Sequence, residues 1–144
     1  MYKDLQYILS AILLLLVGFS AGADVTVSYD VSAFSAVGDG VTLDTAALQA
    51  AIDACHTNGG GVVRVPTGRF LTGTLTLNDG VNLHLCRGAV LLGSTKLDDY
   101  PKRKARYRSY TDNYTDRALI YAEDARDIAI SGEGLIDGQG AAFS

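Results

Sequence analysis

The chain has 144 residues, 12 of them Lys or Arg and 16 Asp or Glu, for a formal net charge of −4. That length holds one domain at most, and the acidic balance argues against nucleic acid as the main partner. Sixteen glycines, two prolines and no tryptophan suit short strands joined by many tight turns.

The first stretch reads as a targeting segment rather than as part of the fold. Lys3 opens it, and an apolar run over 8–17 is long enough for the hydrophobic region of a signal peptide. Ala21-Gly22-Ala23 supplies small residues at a signal-peptidase site, which places cleavage between Ala23 and Asp24. The competing reading is a membrane anchor, but the run falls short of the roughly 20 apolar residues that a span needs. The expectation is a signal peptide over 1–23 and an exported mature chain over 24–144, with no membrane contact after cleavage.

Residues 25–31 alternate and predict a strand. Gly38-Asp39-Gly40 is a turn, and Asp44 suits the N-cap of a helix over Thr45–Thr57. Leu48, Ala51, Ile52 and Cys55 share one face of that helix, and Asn58-Gly59-Gly60-Gly61 ends it. Strands follow at 62–65, 70–77, 81–85 and 89–92. A stretch rich in Tyr, Lys, Arg and Asp over 96–117 predicts a long loop. Strands resume at 118–122, 128–130 and 135–136.

These strands repeat a pattern. Val63, Val65, Gly68, Phe70, Leu71 and Gly73 are followed, 20 residues on, by Leu83, Leu85, Gly88, Val90, Leu91 and Gly93. Ile128, Ile130, Leu135, Ile136 and Gly138 give it a third time, with Glu133 where the middle glycine belongs. A period near 20 with two-residue alternation inside each unit is the mark of a β-solenoid. Such units must stack to bury their apolar faces, with Val63, Val65, Leu83, Leu85, Ile128 and Ile130 pointing inward. A single amphipathic helix ahead of them would cover the open end and its unpaired strand edge. No helix, charged tail or polar cap follows the last repeat, so the sequence reads as the front part of a longer protein.

The two cysteines, Cys55 and Cys86, fall on a helix face and after a strand. Export permits a bridge, but sequence does not bring them within the ~4.4–6.8 Å that a disulfide needs between Cα atoms. Two separate thiols are expected.

The segment from Tyr29 to Phe34, the Gly38-Asp39-Gly40 turn, the run from Asp44 to Cys55, Gly59-Gly60-Gly61-Val62-Val63 and Val65-Pro66-Thr67-Gly68 together resemble the amino-terminal capping region of the pectin-lyase-like superfamily. Phe70-Leu71-Thr72-Gly73, Asn82-Leu83-His84-Leu85, Leu91-Leu92-Gly93-Ser94, Asp98-Asp99-Tyr100-Pro101, Ala118-Leu119-Ile120-Tyr121-Ala122 and the run from Ile128 to Gly140 resemble glycoside hydrolase family 28, the polygalacturonases. The resemblance implies an all-β fold, a right-handed parallel β-helix with an amino-terminal capping α-helix. It implies a secreted, monomeric hydrolase of polyanionic pectic polysaccharide, working without a metal or other cofactor.

Such enzymes invert, using one carboxylic acid to protonate the leaving oxygen and another carboxylate to activate water. The family carries these groups in Asn-Thr-Asp and Asp-Asp motifs, followed by Gly-His-Gly and Arg-Ile-Lys. No matching form occurs here. Thr111-Asp112-Asn113 has the letters in the wrong order, Asp98-Asp99 matches another segment, and neither His56 nor His84 is flanked by glycines. No catalytic residue is therefore assigned within the chain. Asp137 in Ile136-Asp137-Gly138 and Asp39 between glycines read as turn residues.

Lys102, Arg103, Lys104, Arg106, Tyr107 and Arg108 form a basic run whose charges suit galacturonate carboxylates. The plainer reading of the same run is a solvated loop. Alternative activities on the same scaffold are a polysaccharide lyase, working with Ca²⁺ and a basic residue, an epimerase, or a non-catalytic carbohydrate-binding or structural β-helix.

Overall fold

The computed structural model describes residues 25–104 and 116–144. Ala23 and Asp24 at the expected cleavage site, and Arg106, Tyr107 and Arg108 of the basic run, lie outside the described residues.

Among the described residues, ten short strands and one α-helix build the fold, with three single-turn 3-10 helices between or after them. In chain order they are β1 (Ser28–Asp30), β2 (Asp39–Leu43), α1 (Thr45–Thr57), β3 (Gly61–Val65), β4 (Gly68–Thr72) and β5 (Leu75–Thr76). Then come β6 (Val81–Leu85), β7 (Ala89–Gly93), β8 (Ile120–Tyr121), β9 (Ala129–Gly132) and β10 (Leu135–Asp137). They form three sheets, ordered β1-β3-β6-β9, β2-β4-β7-β10 and β5-β8. Every pairing is parallel. The chain visits the first sheet, then the second, then the third, and begins again. In the first pass α1 takes the place of a strand of the third sheet.

The alternation read from the sequence sets what is buried. Tyr29, Val63, Leu83 and Ile130 are register partners across the first sheet, with Val65 beside Leu85. Val63 and Leu83 are fully buried, as are Leu75 on the third sheet and Leu91 on the second. Each such side chain contributes on the order of 1.5–3 kcal/mol relative to exposure. Ile130 completes its column but is 48% exposed, and Ile128 is 37% exposed. Among the described residues β9 is the outer strand of its sheet, so Ile130 is covered on one side only.

The register corrects the repeat. Val63 pairs with Leu83, but Phe70 pairs with Leu91 rather than Val90. Leu83 pairs with Ile130 rather than Ile128. The strands keep their alignment while the turn between first and second sheets changes length. It takes four residues from Val65 to Arg69, five from Leu85 to Val90 and three from Gly132 to Leu135. Gly132 makes the shortest turn possible: its φ is +104°, and a Cβ there would sit 1.9 Å from the Leu85 carbonyl oxygen. Gly132→Ala is expected to lower stability by about 1–3 kcal/mol, read as a lower midpoint in urea titration.

Three other readings shift. The stretch around Asp39 is a strand, with a register irregularity between Asp39 and Leu43. The run 70–77 breaks at Gly73, where a Cβ would lie 2.1 Å from the Asp99 carbonyl oxygen. Asp44 sits at the helix N-cap position, yet its buried carboxylate makes no side-chain cap bond. It accepts instead from the N–H groups of Val37 at 2.8 Å and Gly38 at 2.9 Å, pinning the loop before β2. Asp39 accepts from Val41 N–H at 2.9 Å, Thr42 N–H at 2.7 Å and the Thr42 hydroxyl at 2.8 Å. The bonds from Thr42 and Val41 hold its carboxyl below the usual aspartate range.

The helix covers the end of the stack in two ways. Leu48, Ala51, Ile52 and Cys55 are fully buried in the core that contains Val63, Val65 and Leu75. A polar stripe on the same helix then satisfies the neighbouring backbone. Thr45 Oγ1 accepts from Gly73 N–H at 2.8 Å. Gln49 Nε2 donates to the Thr76 carbonyl at 3.0 Å, and Thr76 N–H donates to Gln49 Oε1 at 2.9 Å. The side-chain amide of Gln49 thus pairs with β5 as another strand would. His56 Nδ1 lies 3.0 Å from the Asp79 carbonyl oxygen further along.

Cys55 and Cys86 are both free. Burial pushes the Cys55 thiol above the ordinary cysteine value. Cys86 lies outside the core, beside Arg64.

Candidate functional site

The third sheet is narrow, and its outer face is where part of the basic run lands. Leu75 and Ile120 are partners facing the core, so alternation turns their neighbours Thr76 and Tyr121 outward, also as partners. The stem of the long loop brings Arg103 across both. Its Nη2 donates to Thr76 Oγ1 at 2.8 Å, and its guanidinium carbon lies 4.4 Å from the centre of the Tyr121 ring. Stacking on an aromatic face is attractive by ~0.5–2 kcal/mol, depending on how far water is excluded. Arg103 Nε is buried without a hydrogen-bond partner among the described residues.

The neighbours of Arg103 differ from it. Lys102 Nζ lies 3.4 Å from Asp116 Oδ2, with both side chains substantially exposed, a pair worth about 0–1 kcal/mol. Lys104 is exposed. Of the basic run's described members, only Arg103 is fixed against the fold. The Tyr121 hydroxyl donates to Glu123 Oε2 at 2.5 Å, and that bond raises the phenol above its usual value.

The loop stem is braced at several points. Tyr100 is buried, and its hydroxyl donates to the Ser94 carbonyl at 2.7 Å. Burial, then the nearby Asp99 carboxylate, raises the Tyr100 phenol above its ordinary value. The Ser94 hydroxyl bonds Asp99 Oδ2. Arg117 Nη1 donates to the Leu97 carbonyl and, at 2.8 Å, to that of Tyr100. Arg103 N–H donates to the Asp116 carbonyl at 2.7 Å, tying the outgoing strand of the stem to the returning one. Beside the stem, Leu97, Tyr100, Arg117, Leu119 and Phe143 line a small cleft of about 230 Å³.

Chemically, this face offers a cation whose plane is set by a ring and whose position is set by a hydroxyl. A guanidinium held this way suits planar carboxylates, and little of its rotamer freedom remains to be lost on binding. Thr76 and Tyr121 read only as strand residues in the sequence. The signal that finds them is their outward phase in two strands that share a register, which needs the pairing of β5 with β8. Asp98 is exposed, and Asp99 serves the loop stem. Asp137 accepts from Gln139 N–H at 2.9 Å, as a turn residue does.

Residues 28–123 match the family model described as rhamnogalacturonase A/epimerase, pectate lyase-like. An exo-poly-alpha-D-galacturonosidase of Dickeya chrysanthemi is 41% identical over 119 residues, which cover 77% of this chain and 19% of that protein. A family 28 exopolygalacturonase of Yersinia enterocolitica has a similar structure, with a TM-score of 0.67 and 38% identity over 77% of this chain and 20% of that one. A mannuronan C5-epimerase of Azotobacter vinelandii is 46% identical over 63 residues, 38% of this chain and 4% of the relative. The chain thus spans about a fifth of the length of the galacturonosidase it matches.

Proposed function

The chain belongs to the rhamnogalacturonase A/epimerase, pectate lyase-like family, and from that premise we propose that it is the leading section of a secreted glycoside hydrolase that cleaves galacturonosyl linkages in pectic polysaccharide. The carrying observation is the 41% identity to a galacturonosidase over 77% of the chain. Three parallel sheets visited in a fixed order support the further reading that these are the first turns of a right-handed parallel β-helix, the hand expected of parallel crossovers. In the same reading the mature protein acts as a monomer and without a cofactor.

In this reading the chain binds and positions, and the acid and base act from elsewhere in the whole protein. Arg103, held by Thr76 and Tyr121, receives a galacturonate carboxylate, while Lys102 and Lys104 add attraction at longer range that salt screens. Arg106, Tyr107 and Arg108, outside the described residues, belong to the same basic run in the sequence and are proposed to share its role.

The test is made on the full-length enzyme and on residues 24–144 alone. The full-length enzyme should release reducing ends from polygalacturonate without an ultraviolet-absorbing unsaturated product, and the shorter piece should release none. Unsaturated uronide would move the protein to the lyases. Arg103→Ala in the full-length enzyme should raise KM about tenfold, the loss of roughly one charge-assisted hydrogen bond, with kcat little changed. Arg103→Lys should recover only part of this, because it keeps charge but loses the plane. An unchanged KM would remove Arg103 from substrate binding. The match to a uronan epimerase favours a second reading, in which C5 of a uronide is inverted without chain cleavage. It covers 38% of this chain against 77% for the galacturonosidase, and an unchanged number of reducing ends with altered uronide composition would support it.

A further inference from the structure

The outer face of the first sheet carries a second polar cluster. The alternation that turns Val63 and Leu83 inward turns Arg64 and His84 outward, and these pair in register with each other and with Ser131. Adjacent strands lie ~4.7–4.9 Å apart, so the three side chains form a straight column across β3, β6 and β9.

Hydrogen bonds fix what this column offers. Ser131 Oγ donates to Asn82 Oδ1 at 2.8 Å. Its one hydrogen is then used, so at 2.9 Å it accepts from His84 Nδ1. Neutral His84 therefore carries its hydrogen on Nδ1 and leaves the Nε2 lone pair as an acceptor. Arg64 Nε donates to Cys86 Sγ at 3.1 Å, and its two terminal amino groups make no hydrogen bond among the described residues. That sulfur contact, with help from Asp30, raises the guanidinium pKa further. Arg87 and Glu133 pair at 2.6 Å along one side.

Arg64, His84, Cys86, Arg87, Gly132 and Glu133 line an open cleft of about 400 Å³. Its lining holds two guanidiniums and one carboxylate, Glu133, which is paired with Arg87. Asp30, the register partner of Arg64 on β1, lies beside it, so the terminal amino groups of Arg64 are the donors left to a ligand.

We propose that this cleft is a second subsite for an acidic polysaccharide, taking one uronide unit with its carboxylate on Arg64 and a hydroxyl donated to His84 Nε2. The ligand class rests on the pectic reading above. The pairing of open donors with an open acceptor selects a sugar acid over a simple oxyanion, because an anion without a hydroxyl would face the His84 lone pair. The site is separate from Arg103 and the third sheet.

Cys86 is a built-in probe, since it lines the cleft, and Cys55 is a buried reference in the same molecule. Alkylation of Cys86 in the full chain by iodoacetamide is followed by mass spectrometry with and without trigalacturonate. At about ten times the Kd, alkylation should slow about tenfold by mass action. Trigalacturonate methyl ester, maltotriose and sulfate should give no protection, and Arg64→Gln should abolish it. Equal protection by sulfate, or protection that survives Arg64→Gln, overturns the proposal. The Tyr121 ring resonances report the third sheet in the same titration. If they respond while Cys86 stays unprotected, the cleft is not a subsite and the pectic reading stands. If neither responds, both fall.

Discussion

Ile52→Ala is expected to reduce the unfolding free energy by ~2–5 kcal/mol, measured by denaturant titration. Ile52 is fully buried in the core where α1 meets the first strands, together with Leu48, Val63 and Leu75. Truncation removes its transfer free energy and leaves a void, and the side chains around it are themselves packed on strands whose register prevents collapse into the gap. Ile52→Asp goes further, because a carboxylate there has no partner and cannot be buried at tolerable cost. The helix should detach, exposing an apolar core end and the edge of β5, and the protein should aggregate. An Ile52→Asp variant that stayed soluble with an unchanged midpoint would mean that α1 is not the cover.

Gln49→Leu is expected to cost about 1–3 kcal/mol and to speed amide exchange at Thr76 selectively. The substituted side chain keeps the apolar stem, so packing changes little. What is lost is the pair of bonds to the Thr76 N–H and carbonyl, which lie beneath the helix. Gln49→Glu separates the two bonds. Its carboxylate still accepts from Thr76 N–H, but it no longer donates to the carbonyl and it gains a like-charge neighbour in Asp53, now 2.9 Å from Gln49 Nε2. Glu should therefore protect the Thr76 amide in exchange while still lowering overall stability. If Leu and Glu left Thr76 exchange alike, the amide pairing would carry no weight.

How far the sequence carried can be traced to particular residues. Val63, Leu83, Leu48 and Ile52 were legible because burial imposes a period, two in strands and 3.6 in the helix. The step from Val63 to Leu83 was legible for the same reason. The step from Phe70 to Leu91 was not, since a turn can absorb an extra residue without disturbing either sheet. Matching glycines therefore misled: Gly68 pairs with Ala89, not with Gly88. Gln49 escaped notice because a polar helix residue looks solvated until the strand it serves is in place. Charge pattern found the basic run but gave Lys102 and Arg103 equal weight. Only the pairing of Thr76 with Tyr121 separates them, and that contact spans a loop whose sequence has no periodicity to read.

The connection from the second sheet to the third has a consequence for how such a chain can diversify. Once it is made by Gly73 and Thr74 alone, and once by the whole of 94–119, yet β5 and β8 still meet in register. The scaffold is therefore indifferent to what hangs from this corner, provided the stem contacts of Ser94, Tyr100 and Arg117 close it. Insertions here change which surface is presented while folding is left nearly untouched, since each doubling of loop length adds only ~0.6 kcal/mol of closure entropy. Exchanging the segment between those stem residues for one from another member should transfer ligand preference without moving the denaturation midpoint by more than that order. If the loop binds ligand as proposed, selectivity in this protein is a graft, and the stacked strands are the rootstock.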